Sequence, residues 1–410
     1  MGNHSITLQL QPFGCHQCGA IYDSITLPAG ESMICSRCGK HLLCHAGNYI
    51  NKVIALSATS LILFVYLFSF TFISIEFKGL SNQIYLLDTV KNLFYFHYPL
   101  VALIFSISVI FLPLAFCLSS LILFIRIKHN RLKRRHKWLC HFIFMAKHWL
   151  MADVFLVGVL VSMVKMGDIG DVHLSVGFYL FFLLIVCMVY LSVTISKLST
   201  WIHFFSDNPL SLSHPSLCKG CHFLKEEGKA CNCCGKKTPD LPNNVTTSWV
   251  FLVTALLCYL PANVLPIMIT IAPQQKLNST ILGGISVLWD MHSYWVAIII
   301  LVASIIIPIA KIAILAVIFW ETQKQKKLDK KIVKQQTLLF NITQFIGRWS
   351  FIDVFVVALL SALVQLKSLA VIEPGSALIP FTAVVILTML SARSFDSRVI
   401  WRNMHLDHDG

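Results

Sequence analysis

The sequence predicts an all-α polytopic membrane protein with two repeated four-helix transmembrane bundles, each preceded by a small cytoplasmic Cys-rich module. Three observations carry this prediction. Of 410 residues, 56% are apolar and only 13% are charged, against roughly 25% charged in a soluble domain. The apolar residues gather into eight runs, and a spanning helix needs roughly 20 of them. A Trp/Asp signature in one half of the chain returns in the other at a fixed offset. The composition excludes an ordinary soluble enzyme and a disordered chain. The excess of 33 Lys+Arg over 19 Asp+Glu, a net charge of +14, suits cytoplasmic loops of a membrane protein rather than a nucleic-acid surface.

In chain order the runs cover about 50–75, 99–125, 150–166, 176–200, 247–272, 294–320, 349–366 and 377–393. Each is too long or too apolar for a strand, and in lipid a helix satisfies its own backbone groups. Arg126, Lys128, Arg131 and Lys133 to Lys137 crowd the loop after the second run, and Lys324 to Lys334 the loop after the sixth. The loops near Asp168–Asp171 and Glu373 are poor in basic residues. The positive-inside rule puts both basic loops in the cytoplasm. Eight spans then leave both termini and the 201–246 segment there too. Met1–Gly14 shows no positive n-region leading into an apolar stretch, so no cleaved signal peptide is expected. The expected domains are 1–47 and 206–244 for the two modules, and 48–205 and 245–410 for the two bundles.

The repeat is specific. Trp149-x-x-x-Asp153-Val154-Phe155-x-Val157 recurs as Trp349-x-x-x-Asp353-Val354-Phe355-x-Val357, and Trp201 recurs as Trp401, all at an offset of 200. Pro113-Leu-Ala115 recurs as Pro308-Ile-Ala310 at an offset of 195. Both halves run in the same orientation, so the repeat is parallel rather than inverted.

The modules carry the metal chemistry. Cys15-x-x-Cys18 and Cys35-x-x-Cys38 have the spacing of a structural zinc site. Two tight turns, each aiming two sulfurs at one point, complete a tetrahedron. Gly19 and Gly39 follow the second Cys of each pair, where positive φ lets backbone N–H groups approach the sulfurs. Cys218-x-x-Cys221 and Cys231-x-x-Cys234, followed by Gly235, form a second set. Its intervening loop is shorter, and Cys233 leaves the exact ligands open. On the reducing cytoplasmic side thiolates on metal are expected rather than disulfides; a redox dithiol or an iron–sulfur cluster are the other readings. Four thiolates leave no open position for substrate, so each metal is structural. Neither module has the basic, aromatic-interleaved face of a nucleic-acid binder. Cys44 is spare, and Cys117, Cys187 and Cys258 lie in apolar runs as small buried hydrophobes.

Ionisable groups inside spanning helices are functional candidates by default. Lys311 lies about 13 Å from the cytoplasmic end of the sixth run and Asp353 about 6 Å into the seventh. Neighbouring antiparallel helices could bring them together. Ser304, Pro308 and Lys311 share a face, and Pro308 frees a carbonyl near Ser304. Thr388 and the deeper Ser361 extend a polar track through the second bundle. The plainer readings are a snorkelling Lys311, a capping Asp353 and packing hydroxyls. Asp153 keeps the acid in the first half, whereas Phe116 stands where the repeat would put Lys311, so that half reads as a degenerate copy. Pro261-Ala-Asn263-Val-Leu-Pro266 interrupts the fifth run in its outer half: two prolines bend or end a helix, giving a kink or a lipid portal with Asn263 as hydrogen-bonding capacity. The 277–291 segment reads as a hairpin or an interfacial piece. His148, His203 and His292 sit near interfaces, which argues against a bis-His haem, and no P-loop is present.

Together these motifs resemble the paraquat-inducible protein A family over nearly the whole chain. The resemblance rests on two four-cysteine modules leading four-helix sets, Pro261-Ala-Asn263-x-x-Pro266, Gly283-Gly284 with Trp289, Pro308-x-x-Lys311 and Trp349-x-x-x-Asp353-Val. It implies tetraspanin-like bundles joined to zinc ribbons in the inner membrane of a Gram-negative bacterium. It also implies a periplasmic tunnel partner built of mammalian-cell-entry domains, and lipid transport across the cell envelope. The short second Cys loop and the missing first-half lysine depart from the pattern. The expected function is an inner-membrane subunit passing lipids to that tunnel, without enzymatic activity and with an ion gradient as one energy source. A redox- or metal-responsive membrane scaffold without transport is the alternative.

Overall fold

The computed structural model describes residues 8–9, 12–22, 26–27, 32–44, 48–77, 80–95, 99–166, 171–204, 215–218, 220–235, 245–272, 275–290, 292, 294–324, 329–363, 365–366 and 370–402. Helices dominate it. The first half contains α1 (Tyr49–Ser69), α2 (Leu86–Tyr95), α3 (Ala102–Lys128), α4 (Lys137–Ala146), α5 (Ala152–Met166), α6 (Val176–Thr194) and α7 (Lys197–Trp201). The second contains α8 (Val245–Val264), α9 (Ile281–Asp290), α10 (Ala297–Gln323), α11 (Lys330–Ile346), α12 (Ile352–Leu363), α13 (Leu378–Ser394) and α14 (Arg398–Arg402). Among the described residues α1, α3, α6, α8 and α10 are long and apolar enough to cross a membrane, and the chain is a membrane protein. The third, seventh and eighth apolar runs form shorter helices, α5, α12 and α13.

The all-α expectation needs one correction. β1 (Ile73–Phe77), β2 (Leu80–Ile84) and β3 (Asp171–Leu174) make an antiparallel sheet in the order β2-β1-β3. β4 (Met268–Ala272), β5 (Gln275–Ser279), β6 (Gln365–Leu366) and β7 (Ala370–Pro374) make a second in the order β5-β4-β7-β6. The first and fifth apolar runs therefore stop being helical at Ser69 and Val264. Beyond the first, Ile73-Ser74-Ile75-Glu76-Phe77 alternates apolar with polar residues, a period of two; beyond the fifth, Ile269, Thr270 and Ile271 are β-branched residues that favour a strand. Both sheets lie at the end of the helices away from the Cys modules. The 277–291 segment is divided between β5 and α9, and α9 starts directly after the strand.

The repeat governs these elements residue by residue. Ile73 pairs with Ile84 and Leu174, and Met268, 195 residues on, pairs with Ser279 and Pro374. α2 and α9 start and end 195 residues apart. The N–H of Gly177 bonds the Thr71 carbonyl at 3.0 Å, as the N–H of Ala377 bonds that of Pro266 at 3.0 Å. A Cβ on Gly177 would stand 2.6 Å from that carbonyl, so glycine suits the approach in this copy, whereas Ala377 makes the equivalent bond with a side chain in place. Both long second helices carry a π turn, Ser106–Phe111 in α3 and Val302–Ile306 in α10. Each precedes a proline, Pro113 or Pro308, and the wider turn absorbs the hydrogen bond the imino acid cannot make.

Within the first half α1 packs on α3 and α6; within the second, α8 packs on α10 and α13. The halves meet through the two repeated Asp-Val-Phe helices, α5 against α12. Phe155 and Phe355, equivalent in the repeat, meet edge to face with centroids 5.7 Å apart, and a Cβ on Gly158 would stand 3.2 Å from the Phe355 Cβ. The motif that announces the repeat is thus also its internal interface. Both basic loops carry short helices, α4 and α11, which the charge pattern had concealed.

The modules sit crosswise. They join through a bridge between Phe13 and Phe223, with the Gly14 N–H donating to the His222 carbonyl at 2.9 Å. A side chain on Gly14 would collide with Leu217. The first module seats on the second half: the Arg37 guanidinium lies 5.4 Å from the Trp401 ring centroid, and Gln17 Nε2 donates to Asn341 Oδ1 at 3.0 Å. The second module seats on the first half: Lys137 Nζ donates to the Asn232 carbonyl at 3.1 Å, and the Cys233 thiol contacts the Trp201 carbonyl at 3.6 Å. Arg398 bolts this assembly together. It grips Asp396 at 2.6 Å with both side chains buried, donates to the Leu217 carbonyl at 3.2 Å and lies along Gly19.

Candidate functional site: two four-cysteine centres and a polar helix core

Each metal candidate is built from two knuckles. In each, the residue after the second Cys donates its N–H to the carbonyl of the first: Gly19 to Cys15 at 2.9 Å, Gly39 to Cys35 at 2.8 Å, His222 to Cys218 at 3.0 Å and Gly235 to Cys231 at 2.7 Å. All four of these residues have positive φ. His222 at +69° is the non-glycine among them, held in a region that costs an L side chain energy.

The Sγ atoms of Cys15, Cys18, Cys35 and Cys38 lie within 4.8 Å of one another, as do those of Cys218, Cys221, Cys231 and Cys234. Nearest pairs are 3.6 Å apart in the first centre, and 3.5 and 3.4 Å in the second. A tetrahedron with metal–sulfur bonds of about 2.3 Å has edges of about 3.8 Å, so each cluster fits a metal ion after small relaxation. Nearby donors tune the sulfurs: Tyr22 Oη donates to Cys35 Sγ at 3.1 Å and the Gly220 N–H to Cys218 Sγ at 3.3 Å. Cys233 stands outside the set of four mutually close sulfurs, and its thiol contacts the Trp201 carbonyl at 3.6 Å. Burial, then the charges of Lys40 and Lys197, push His16 down to about 3, so it stands neutral beside the first centre.

The polar candidates divide. Ser304 and Lys311 are both buried on α10, 0% and 4% exposed, and neither Ser304 Oγ nor Lys311 Nζ has a hydrogen-bond partner among the described residues. Thr388 is buried on α13 and donates to the Val385 carbonyl at 3.0 Å. Asn263 Nδ2 donates to the Tyr259 carbonyl at 2.9 Å. It lies in the last turn of α8, which runs through Pro261 to Val264. The expected interruption of the fifth span is therefore the end of its helix, because Pro266 and the strand beyond it stop the helix there. Asp153 stands in the first turn of α5, where its charge suits the helix N-terminus. It lines a 40 Å³ cavity with Lys147 and Arg348. The side chains of Asp353 and Ser361 lie outside the described residues, and so does the expected Lys311–Asp353 pair.

Sequence reading missed the residue that Lys311 rests on. A Cβ added at Gly347 would stand 2.5 Å from Lys311 Nζ. The signal was present: at an offset of 200, Gly347 matches Lys147, just as Lys311 matches Phe116 at 195. The second half moves the cation from the junction before the Trp motif into the helix core and clears the junction with glycine.

The profile of the paraquat-inducible protein A family matches residues 50–204 and again residues 245–405. The chain is 32% identical to the intermembrane transport protein PqiA of Escherichia coli (strain K12), covering 96% of this chain and 97% of that protein. It is 26% identical to a probable intermembrane transport protein of Haemophilus influenzae, covering 95% of each. It is 25% identical to the lipophilic envelope-spanning tunnel protein A of E. coli (strain K12), covering 94% of this chain and 90% of that one. No solved structure matches. Two profile matches spanning the helical regions and a relative aligned from end to end place this chain in the paraquat-inducible protein A family.

Proposed function

We propose that this protein is the inner-membrane subunit of an intermembrane lipid transport system, moving lipids between the inner membrane and a periplasmic tunnel of mammalian-cell-entry domains. It works without catalysis, with the module end and both termini in the cytoplasm. In this reading 48–205 and 245–410 are two four-helix bundles, and 1–47 and 206–244 are zinc ribbons. Cys15, Cys18, Cys35 and Cys38 hold one zinc, and Cys218, Cys221, Cys231 and Cys234 the other. Zinc there supplies folding rigidity; the thiolates brace the helix ends.

The observation that carries the reading is the buried ammonium of Lys311, without a partner among the described residues. A charge at such depth is expensive and marks a substrate or ion path, and the matching first-half position holds a phenylalanine. The second bundle is then the working half, with Lys311, Asp353, Ser304, Ser361, Thr388 and Asn263 along the path and Asp153 a structural counterpart. The names of the relatives, intermembrane transport and envelope-spanning tunnel proteins, support the same class. The test is lipid movement in reconstituted vesicles with the tunnel protein docked, with and without a proton gradient. Movement that requires Lys311 is expected. Movement indifferent to the gradient removes ion coupling, and no movement at all favours the scaffold.

A further inference from the structure

α11 carries two chemistries along one outward face. Its buried stripe, Val333, Thr337, Phe340 and Thr343, recurs at helical spacing, and the helix packs on α10. On the opposite face the first two turns present Lys331, Lys334 and Gln335, all exposed. Further along that same face come Leu338, Leu339, Ile342, Phe345 and Ile346, 37–59% exposed. Five large apolar side chains uncovered side by side mark an interaction surface. Hydropathy had placed this segment at the edge of a basic loop, so the sequence assigned it no partner.

The height of α11 beside α10 is fixed by cross-ties. In an antiparallel pair, residues at one level have numbers with a constant sum. Phe319 and Phe340 both meet the Phe395 ring, at 5.0 and 5.4 Å, and their numbers add to 659. Lys311 Nζ lies against Gly347, and those numbers add to 658. Past the turn at Trp349–Phe351, Ile300 and Ser304 line one small cavity with Val356 and Val357 of α12, which keeps the sum near 658. α11 and α12 therefore follow α10 as one interrupted pass. On this register Leu338 stands level with Trp320, and Lys334 with Lys324. Trp320 is exposed, with the Lys324 ammonium 5.2 Å from its ring centroid, an aromatic and a lysine of the kind that mark where a spanning helix meets the headgroups. At the far end Trp295, 83% exposed, stands level with Leu363, where α12 ends. α12 alone has 12 residues, about 18 Å of helix, too short for a hydrocarbon layer of about 30 Å. From Leu339 to Leu363 the interrupted pass covers about 36 Å.

We propose that the last two turns of α11 are immersed in the lipid of the module-side leaflet, so that α11 and α12 together make the seventh crossing. Leu338 and Leu339 stand at headgroup level, and Ile342, Phe345 and Ile346 lie among acyl chains. The partner that fits this face is the bilayer itself. A docked protein or a second copy of the chain gives no reason for the change from lysine to leucine on α11 to fall level with Trp320 on α10. The side of α11 turned to the first module stays polar, with Asn341 accepting a hydrogen bond from Gln17 at 3.0 Å. The break in the crossing falls at Gly347, beside Lys311. This placement does not require that the protein transport anything.

The test reads the surroundings of α11 from both sides. Full-length, metal-loaded protein is placed in nanodiscs of phosphatidylcholine that carries a diazirine in its acyl chain, irradiated, digested and mapped by mass spectrometry. Cleavage before Asp329 and Asp353 releases residues 329–352 as one peptide. Lipid adducts are expected on Ile342, Phe345 and Ile346, at the yield seen on the exposed Val317 of α10, and absent from Lys330 to Lys334. In a matched sample of ordinary phosphatidylcholine, hydroxyl radicals generated in the water should oxidise Ile332 and spare Phe345, although Phe345 is 59% exposed and Ile332 43%. Lipid adducts on Val317 with none on the last two turns of α11 overturn the proposal. So does oxidation of Phe345 as fast as Ile332. Protection of Phe345 from radicals without lipid adducts would mean that a protein covers the face, and it overturns the proposal as well. The wild-type chain is used throughout, so a misfolded variant cannot imitate any of these results, and metal content checks the sample. Because no transport is measured, failure here leaves the transport reading intact, and the reverse holds too.

Discussion

The two halves share a backbone plan and bury different chemistry at matched positions. Where the first half buries Val53, Val109, Phe116, Met188 and Leu191, the second buries Ser248, Ser304, Lys311, Thr388 and Ser391. Around those apolar residues the first half gathers a ring cluster: Phe72, Phe105 and Phe181 all meet Phe155 within 6.1 Å. In the second half Ser391 Oγ instead reaches across to the Ser248 carbonyl at 2.7 Å, tying α13 to α8 through residues small enough for close approach. The first half is not free of polar groups, since Ser106 and Ser120 are buried without hydrogen-bond partners among the described residues. What separates the halves is the charge and the set of hydroxyls around it. Both copies of the helical frame bury hydroxyls, Ser57, Ser60, Ser120 and Ser162 among them in the first half, and among the described residues of the long apolar helices it is the second half that buries a lysine.

The sharpest break of this comparison is Lys311→Met against Phe116→Leu. The first removes the charge and keeps the length, and lipid transfer in vesicles should fall to background while the protein still folds. The second should leave transfer at the wild-type level and cost about 1–2 kcal/mol, as modest trimming of a buried side chain does. Equal loss of transfer in both variants would mean that the halves share the function.

The next effect concerns the crosswise seating of the modules. Arg398 and Asp396 form a buried pair at 2.6 Å, and the same guanidinium holds the second module through Leu217. Arg398→Ala breaks this buried pair and the tie to Leu217, and breaking a buried pair typically costs about 3–5 kcal/mol. Its measurable consequence is earlier thermal release of metal from both four-cysteine centres. Release from one centre alone would show that the modules are braced independently.

How much of this was legible follows from what kind of signal each feature leaves. The Cys-x-x-Cys pairs were readable because four ligands at fixed spacing have few other uses, and the structure brings all eight sulfurs into two clusters. The repeat was readable because Trp and Asp are rare in apolar runs. The sheets were not, since strand residues Ile73 and Met268 continue the apolar runs of the helices before them and hydropathy alone does not mark the change of period. The crosswise seating was invisible for a different reason: each module precedes one half in sequence, and chain order suggests that it serves that half. Arg37 on Trp401 and Cys233 on Trp201 are contacts between residues 364 and 32 positions apart, which no local pattern encodes.

A smaller effect tests the exchange of lysine and glycine. Gly347→Ala pushes a methyl group to within 2.5 Å of Lys311 Nζ, and overpacking of this kind costs about 1–3 kcal/mol. In the first half Lys147→Ala should cost only about 1 kcal/mol, the worth of its hydrogen bond to the Ile195 carbonyl. Combining Gly347→Ala with Lys311→Ala should cost less than the two single changes summed, because the clashing Nζ and Cε atoms are gone. Strictly additive costs would place the strain in the backbone, against the Thr343 carbonyl 2.9 Å from the same Cβ position.

The smallest expected effect lies in the modules, at the position where the repeat has diverged most in chemistry and least in place. Arg37 and Cys233 each stand one residue before the last Cys of their module, and each faces the repeated tryptophan, Trp401 or Trp201. The first uses a cation over a ring; the second uses a small thiol against a backbone carbonyl. Cys233→Ser keeps the size and offers that carbonyl a stronger donor, so thermal stability should shift by less than about 1 kcal/mol. The metal content of the purified protein should not change, because Cys231 and Cys234 already complete the second cluster. Cys234→Ser, one residue on, should instead lose the metal of that centre. If Cys233→Ser loses metal and Cys234→Ser keeps it, the ligand set shifts by one residue, and the likeness between the two module seats goes with it.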